Sequence, residues 1–236
     1  MFNPDATLQA VVFDERRSCL VIDDALLEPE RLVAHAAAHA ADLRPVDFSV
    51  YPGVYLMAPA ELAAALAELF RRRLRARFDA RRCERLHCRL SMITLQPAML
   101  RPYHWLCHVD DAELDASRES MPASVLYLFR DERLGGTSFY APRRTADVTA
   151  ALFKDARQLS APAFTERYGI EPGYMHGDND YFECIGRIPA KWNRLIFYDG
   201  GIAHSAAVAE PDRLSPDPTV GRLTLNGFFT CRRRLT

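Results

Sequence analysis

Residues 195–209 read Leu-Ile-Phe-Tyr-Asp-Gly-Gly-Ile-Ala-His-Ser-Ala-Ala-Val-Ala. The first four are apolar and strand-length, Asp199-Gly200-Gly201 is turn chemistry, and a second strand-like run follows, so the segment predicts a hairpin with His204 where its second arm opens. Working outward, a period of two recurs at 89–96, 123–129, 137–140 and 222–231, with turns rich in Gly, Pro and Asp between. Upstream, 10–13 and 19–23 read as short strands. Pro29 opens a helix that runs to residue 41, with Asp24 or Glu28 as its cap. A longer helix is predicted over 58–79, because Leu62, Leu66, Phe70, Leu74 and Phe78 recur every four residues as one apolar stripe. A helical insertion at 146–158, continued at 161–168, interrupts the strands, and 169–180 reads as an irregular loop.

Helices followed by many antiparallel strands predict an α+β layout, with the helices on the outer face of one sheet of a sandwich or small barrel. Without a repeat or a composition break, one domain over 1–236 is the economical reading: helix-rich support at 1–87, then a β core at 88–236 carrying the insertion near 145–170. Strand and helix do not alternate and neither GxGxxG nor a Walker-type loop is present, which excludes a doubly wound nucleotide-binding fold.

Composition narrows the function classes. The 236 residues are 49% hydrophobic and 26% charged, and 30 basic against 31 acidic residues leave a net charge of -1, which supplies no global field for nucleic acid or an anionic membrane. The arginines at 71, 72, 73, 75 and 77 read as a solvated helix face, because no aromatic stacking series is interleaved with them. No apolar run reaches about 18 residues, and the N-terminal segment has its Asp5 where a secretory leader would be basic, so a cytoplasmic protein is expected. The six cysteines are expected to be thiols. Cys83, His87 and Cys88 could be half of a zinc site, but no second CxxC or HxxxH follows.

His108 and Asp110 stand at i and i+2, which in an extended backbone projects both side chains to one side. With a distant His204 they form a two-histidine, one-carboxylate donor set, the facial triad that leaves adjacent positions of an iron(II) open. Arg222, inside an apolar strand and followed at i+2 by Thr224, demands an anion; its fork suits a carboxylate held bidentately, and the hydroxyl can add a bond. His104 and His176 are rival ligands.

Taken in order, His108-Val-Asp110, Gly135-Gly-Thr-Ser-Phe-Tyr140, Leu195-Ile-Phe-Tyr leading to His204, and Gly221-Arg222-Leu-Thr224 resemble the iron(II)- and 2-oxoglutarate-dependent dioxygenases of the prolyl-hydroxylase-like branch. The opening CLVIDDALLEPERL resembles the strand-then-helix start of that branch. The resemblance implies a double-stranded β-helix (jelly-roll, cupin-like) core. It places His108, Asp110 and His204 on Fe(II), and Arg222, with Thr224 and Tyr103 beside it, on 2-oxoglutarate; it also makes Tyr127 a candidate to hydrogen-bond the cosubstrate, and Thr137 and Phe139, after Gly135-Gly136, candidates to line the site. It further implies O2 as oxidant and hydroxylation of a small molecule, amino acid or peptide, with release of succinate and CO2. With Asp110 present to fill its position on the metal, hydroxylation rather than halogenation is expected. The interval from His204 to Arg222 is longer than the family often shows; its Pro- and Asp-rich filler reads as an extended hairpin loop. Two other readings stand beside this one: a β-helix binding protein without turnover, and a metal-dependent hydrolase built on His108, Asp110 and Asp111. A homodimer stays open, and neither a membrane nor a nucleic-acid partner is expected.

Overall fold

The computed structural model describes residues 1–46, 51–110, 114–115 and 117–234. Two sheets, both antiparallel, carry a mixed α/β protein. The larger follows the order β1 (Leu8–Val12), β2 (Ser18–Ile22), β10 (Leu195–Asp199), β7 (Pro122–Tyr127), β12 (Leu223–Arg233), β5 (Ala80–Ile93), β4 (Gly53–Met57) and β3 (Arg44–Pro45), with β6 (Glu119–Ser120) also on β12. The smaller runs β11 (Ala203–Ala206), β8 (Thr137–Pro142), β9 (Phe182–Ile188), and His108 adds to its free edge by a bridge to His204.

Alternation along the large sheet divides its side chains between two cores. Leu20, Ile22, Leu90, Met92, Leu126, Leu195, Phe197, Leu225 and Phe229 face one way, toward Ala36 of α1 (Glu30–Ala38) and Leu66 of α2 (Ala60–Leu69). Cys19, Val21, Tyr127, Ile196 and Tyr198 face the other way, into the space shared with Phe139 and Tyr140 of the small sheet. Strands buried on both faces read as near-continuous apolar runs, as 195–198 does. The helices of the insertion, α3 (Ala146–Gln158) and α4 (Ala161–Tyr168), send Leu152, Ala156 and Phe164 into this second core, where Phe164 meets Trp105 edge to face at 5.9 Å.

Three expectations need correction. The helix predicted over 58–79 stops being α-helical at Leu69 and continues as a π turn, Phe70–Leu74, and a 3-10 turn, Arg75–Phe78, ending at Asp79 with φ of +48°. The widened turn keeps both Phe70 and Leu74 fully buried. The β core does not begin at residue 88: Ala80–Ile93 is one 14-residue strand paired with β12 along its length. Its arginines hid an alternation in which Leu86, Cys88, Leu90 and Met92 pack toward the helices. Finally, β4 and β9 form where no strand was read. In β9 the signal was broken by Gly186, where the Phe13 ring lies so close that a Cβ would stand 2.2 Å from it.

All six cysteines are free thiols, and no helix among the described residues is long and apolar enough to cross a membrane. Asp111 lies outside the described residues.

Candidate metal centre

The expected hairpin does not form: β10 pairs with β2 and β7 in the large sheet while β11 pairs with β8 in the small one, so the turn between them carries His204 across into the space between the sheets. Asp199 closes the turn, accepting the Ile202 amide at its carbonyl (2.9 Å) and the Gly201 amide at its side chain (3.0 Å); β11 then pairs with β8 so that His204 lies opposite Phe139. His108 is tied to the same place by backbone alone. Its amide donates to the His204 carbonyl at 2.9 Å, and the His204 amide returns the bond at 2.8 Å. Two residues on, the Asp110 amide donates to the Gly200 carbonyl at 2.8 Å. Gly200 is required there: a Cβ would stand 2.9 Å from Asp110 Cβ and 2.4 Å from the Met121 carbonyl.

One ligand atom from each of His108, Asp110 and His204 lies within 4.8 Å of the others, and no other such cluster of His, Cys, Asp or Glu occurs among the described residues. Asp110 Oδ2 is 3.4 Å from His204 Nε2, and Oδ1 is 3.8 Å from His108 Nε2. His204 meets the Ile202 carbonyl through Nδ1 at 2.8 Å. A carbonyl only accepts, so Nδ1 carries the proton and Nε2 presents its lone pair to the cluster, the orientation a metal-binding histidine needs.

Burial pushes both imidazoles down to about 4, and for His108 the neighbouring His204 adds to the effect. Each is therefore neutral near pH 7, ready to ligate without first losing a proton. The same depression makes stability depend on pH. An unfolded histidine takes up a proton near pH 6.5 and the buried one refuses it until about 4, so the metal-free protein should lose stability as pH falls across that window, by at most about 1.4 kcal/mol per pH unit per histidine. His204 carries most of this, because 35% of the His108 side chain is open to solvent. Urea unfolding of wild type and His204→Gln at pH 7.5 and 5 measures it; equal losses in the two proteins would show that His204 is not held neutral.

Arg222 stands just before β12 and is 3% exposed. Its Nε donates to the carbonyls of Leu134 and Gly135 (3.0 and 3.1 Å), its Nη2 to that of Gly136 (2.8 Å), and the guanidinium lies over the Phe129 ring. Tyr51, Tyr127 and Tyr174 surround it, and burial lowers its pKa. No carboxylate among the described residues pairs with it, whereas Arg194 is committed to Asp23 at 2.6 and 3.0 Å. A buried cation answered only by neutral groups is costly unless an anion joins it. Gly135, at φ of +84°, sets the cup of carbonyls; a Cβ there would meet the Ala207 carbonyl at 1.9 Å.

From Arg222 a polar row continues through an otherwise apolar interior. Thr224 Oγ1 donates to the Ser91 carbonyl at 3.3 Å, with the Tyr51 hydroxyl near it. Asn226 follows at the next same-face position, and Ser91 stands opposite Thr224. Asn226 Oδ1 and Ser91 Oγ are buried without a hydrogen-bond partner among the described residues, and such groups call for an occupant.

Other candidates lie elsewhere. Tyr103 sits in the 3-10 turn Pro102–His104 with its ring against His104, and its hydroxyl makes no hydrogen bond within the described residues. The Tyr127 hydroxyl pairs with Thr137 Oγ1 at 2.8 Å. His104 Nδ1 accepts the Arg101 amide, and His176 lines a surface cleft of about 560 Å³ with Trp105 and Met175. Neither histidine joins the cluster. Cys83 pairs with Cys231, while Cys88 turns into the helix-facing core. Asn226 could have been found by extending the i, i+2 spacing of Arg222 and Thr224 one step further; Tyr51 and Tyr174 arrive from distant loops and left no local signal.

Fold and site together describe a two-sheet protein with a His-Asp-His cluster able to take a divalent metal and a buried arginine that has no carboxylate partner among the described residues. The chain belongs to a family of unknown function, DUF6445, whose model matches residues 4–229. No curated protein matches it. Among solved structures it is similar to a prolyl 4-hydroxylase from Phytophthora capsici, at 13% identity and a TM-score of 0.47, over 92% of this chain and 63% of that one. The chain thus spans less than two thirds of that enzyme's length, and a likeness this loose carries no argument about its chemistry.

Proposed function

We propose that the protein is an Fe(II)- and 2-oxoglutarate-dependent oxygenase of the hydroxylase type, acting on a small molecule, amino acid or peptide. The observation that carries this is Arg222, a buried cation with no carboxylate partner among the described residues, facing the same inter-sheet space as the His108, Asp110 and His204 donors. The strand order supports a double-stranded β-helix core. From β5 the chain crosses to the small sheet at His108, returns at β7, crosses again for β8 and β9, and then alternates through β10, β11 and β12.

The donors fit the proposed metal: two neutral imidazole nitrogens and a carboxylate oxygen suit iron(II) and leave positions open. The polar row fits the cosubstrate. Tyr198 is level with Ala123 and Phe228, and Arg222 stands six residues before Phe228, about 20 Å of backbone at roughly 3.3 Å per residue. A five-carbon diacid would span it with the long Arg222 side chain and the metal donors reaching in from the two ends. Arg222 would hold the distal carboxylate, with Thr224 and Asn226 along its side. Iron with 2-oxoglutarate and dioxygen supplies the oxidation, whose products are succinate, CO2 and a hydroxylated substrate. The protein's own part is to fix the three donors, answer the diacid's charge and keep water from the space between the sheets.

Arg222→Lys keeps the charge but loses the fork and the carbonyl cup. Binding of 2-oxoglutarate to the iron-loaded variant should weaken by about 1.5–3 kcal/mol, the scale of a hydrogen bond to a charged group. Calorimetric titration of 2-oxoglutarate checks this, alongside a succinate assay of the anaerobically loaded wild type with candidate substrates. If wild type neither binds 2-oxoglutarate nor forms succinate, the reading fails; turnover that needs no oxygen and prefers zinc or manganese would point to the hydrolase instead.

A further inference from the structure

The lone pair of His204 Nε2 is already engaged. The Tyr198 hydroxyl lies 3.0 Å from it, and because Nδ1 spends its proton on the Ile202 carbonyl, the phenol must be the donor and Nε2 the acceptor. Tyr198 is 2% exposed, and its ring packs edge to face on Phe139 (5.1 Å) and on His204 itself (4.6 Å). It cannot swing out to solvent without opening the core.

We infer that Tyr198 is a positioning residue that competes with the metal for His204 and, once displaced, turns its O–H onto an oxygen of the coordination sphere. The inference rests on the proposed metal centre and adds a residue to it. An imidazole nitrogen has one lone pair, so a metal bound at Nε2 must break the Tyr198 bond. A buried hydroxyl that loses its acceptor has to find another. Asp110 Oδ2 lies 3.4 Å from the same nitrogen, and an oxygen donor held by the metal would be a second acceptor. Tyr198 thereby has two roles. It satisfies Nε2 and fixes the ring of His204 when the nitrogen bears no metal, and it lowers metal affinity by the cost of one exchanged hydrogen bond.

Cobalt(II), a divalent ion with visible absorption, serves as the probe. It should bind Tyr198→Phe about threefold to tenfold more tightly than wild type, the range that one neutral hydrogen bond converts to, and should raise the variant's melting temperature by more than it raises that of wild type. Tyr198→Leu, which also lacks the hydroxyl, must shift affinity in the same direction. A tyrosine that merely supports the fold would give the opposite result, so unchanged or weaker cobalt binding in the variants overturns the inference. Absence of cobalt binding in wild type overturns the metal centre and the inference with it, which separates the two failures.

Discussion

His204→Ala should weaken divalent-metal binding by more than the roughly 10- to 100-fold that losing a group behind a ligand costs, because here the ligand itself goes. His108 and Asp110 would be left as a bidentate remnant, and two donors do not hold a labile ion in competition with water. The fold should persist. Backbone bonds between 108 and 204 do not use the imidazole, and the cores on both sides of the large sheet are built from other residues. Manganese(II) titration followed by its electron paramagnetic resonance signal, with circular dichroism as the check on folding, gives the answer. Affinity like that of wild type would sink the assignment.

The second large effect lies on the opposite face of the large sheet. Phe70 is fully buried, stacked on Phe229 at 4.3 Å and near Phe78 and Phe197 at 6.0 and 6.3 Å. Phe70→Ala removes the ring around which helix and sheet meet and should destabilise the protein by about 3–5 kcal/mol, since the π turn that carries it is held from both ends and cannot collapse into the cavity. Metal affinity of the folded fraction should be unchanged, because Phe70 packs on the far side of the sheet from the cluster. Denaturant unfolding measures the first and metal titration the second; a loss below about 1 kcal/mol, the ordinary cost of a surface-like substitution, would mean that the helical layer contributes little to the sheet's stability.

How much of this was legible in the sequence depends on how local each feature is. Strand, turn and histidine at 195–206 could be read because they lie within a dozen residues, but the hairpin expected from them does not form, because the sheet each strand joins is set by distant partners, β2 and β7 for the first and β8 for the second. His108 and Asp110 could be read because i, i+2 spacing is a property of one strand. That the same backbone ladder would join 108 to 204 could not, since it depends on a bridge across 96 residues of sequence. The arginines of 80–88 misled for a definite reason: they are exposed on a strand as they would be on a helix, and only the alternation of Leu86, Cys88 and Leu90 between them carries the strand signal. Arg222 stood out as a charge in an apolar run, but its cup of carbonyls at 134–136 and its ring of tyrosines belong to tertiary structure, as do the orphaned Asn226 and Ser91 atoms that mark the interior as a place for a polar guest.

The paired amides of His108 and His204 bear on how the protein would live with its metal. In small zinc modules the ion is the core, and removing it unfolds the chain. Here three donors are held in register by ladder bonds that no ion is needed to make. Loading would therefore be an exchange with the surrounding pool of ions, open after folding is complete and reversible by a chelator without loss of structure. The chain itself does little to enforce which divalent ion enters. A His-Asp-His set held at fixed separation accepts several first-row metals in the general order of their affinities, and the supply in the compartment, rather than the scaffold, decides the occupant.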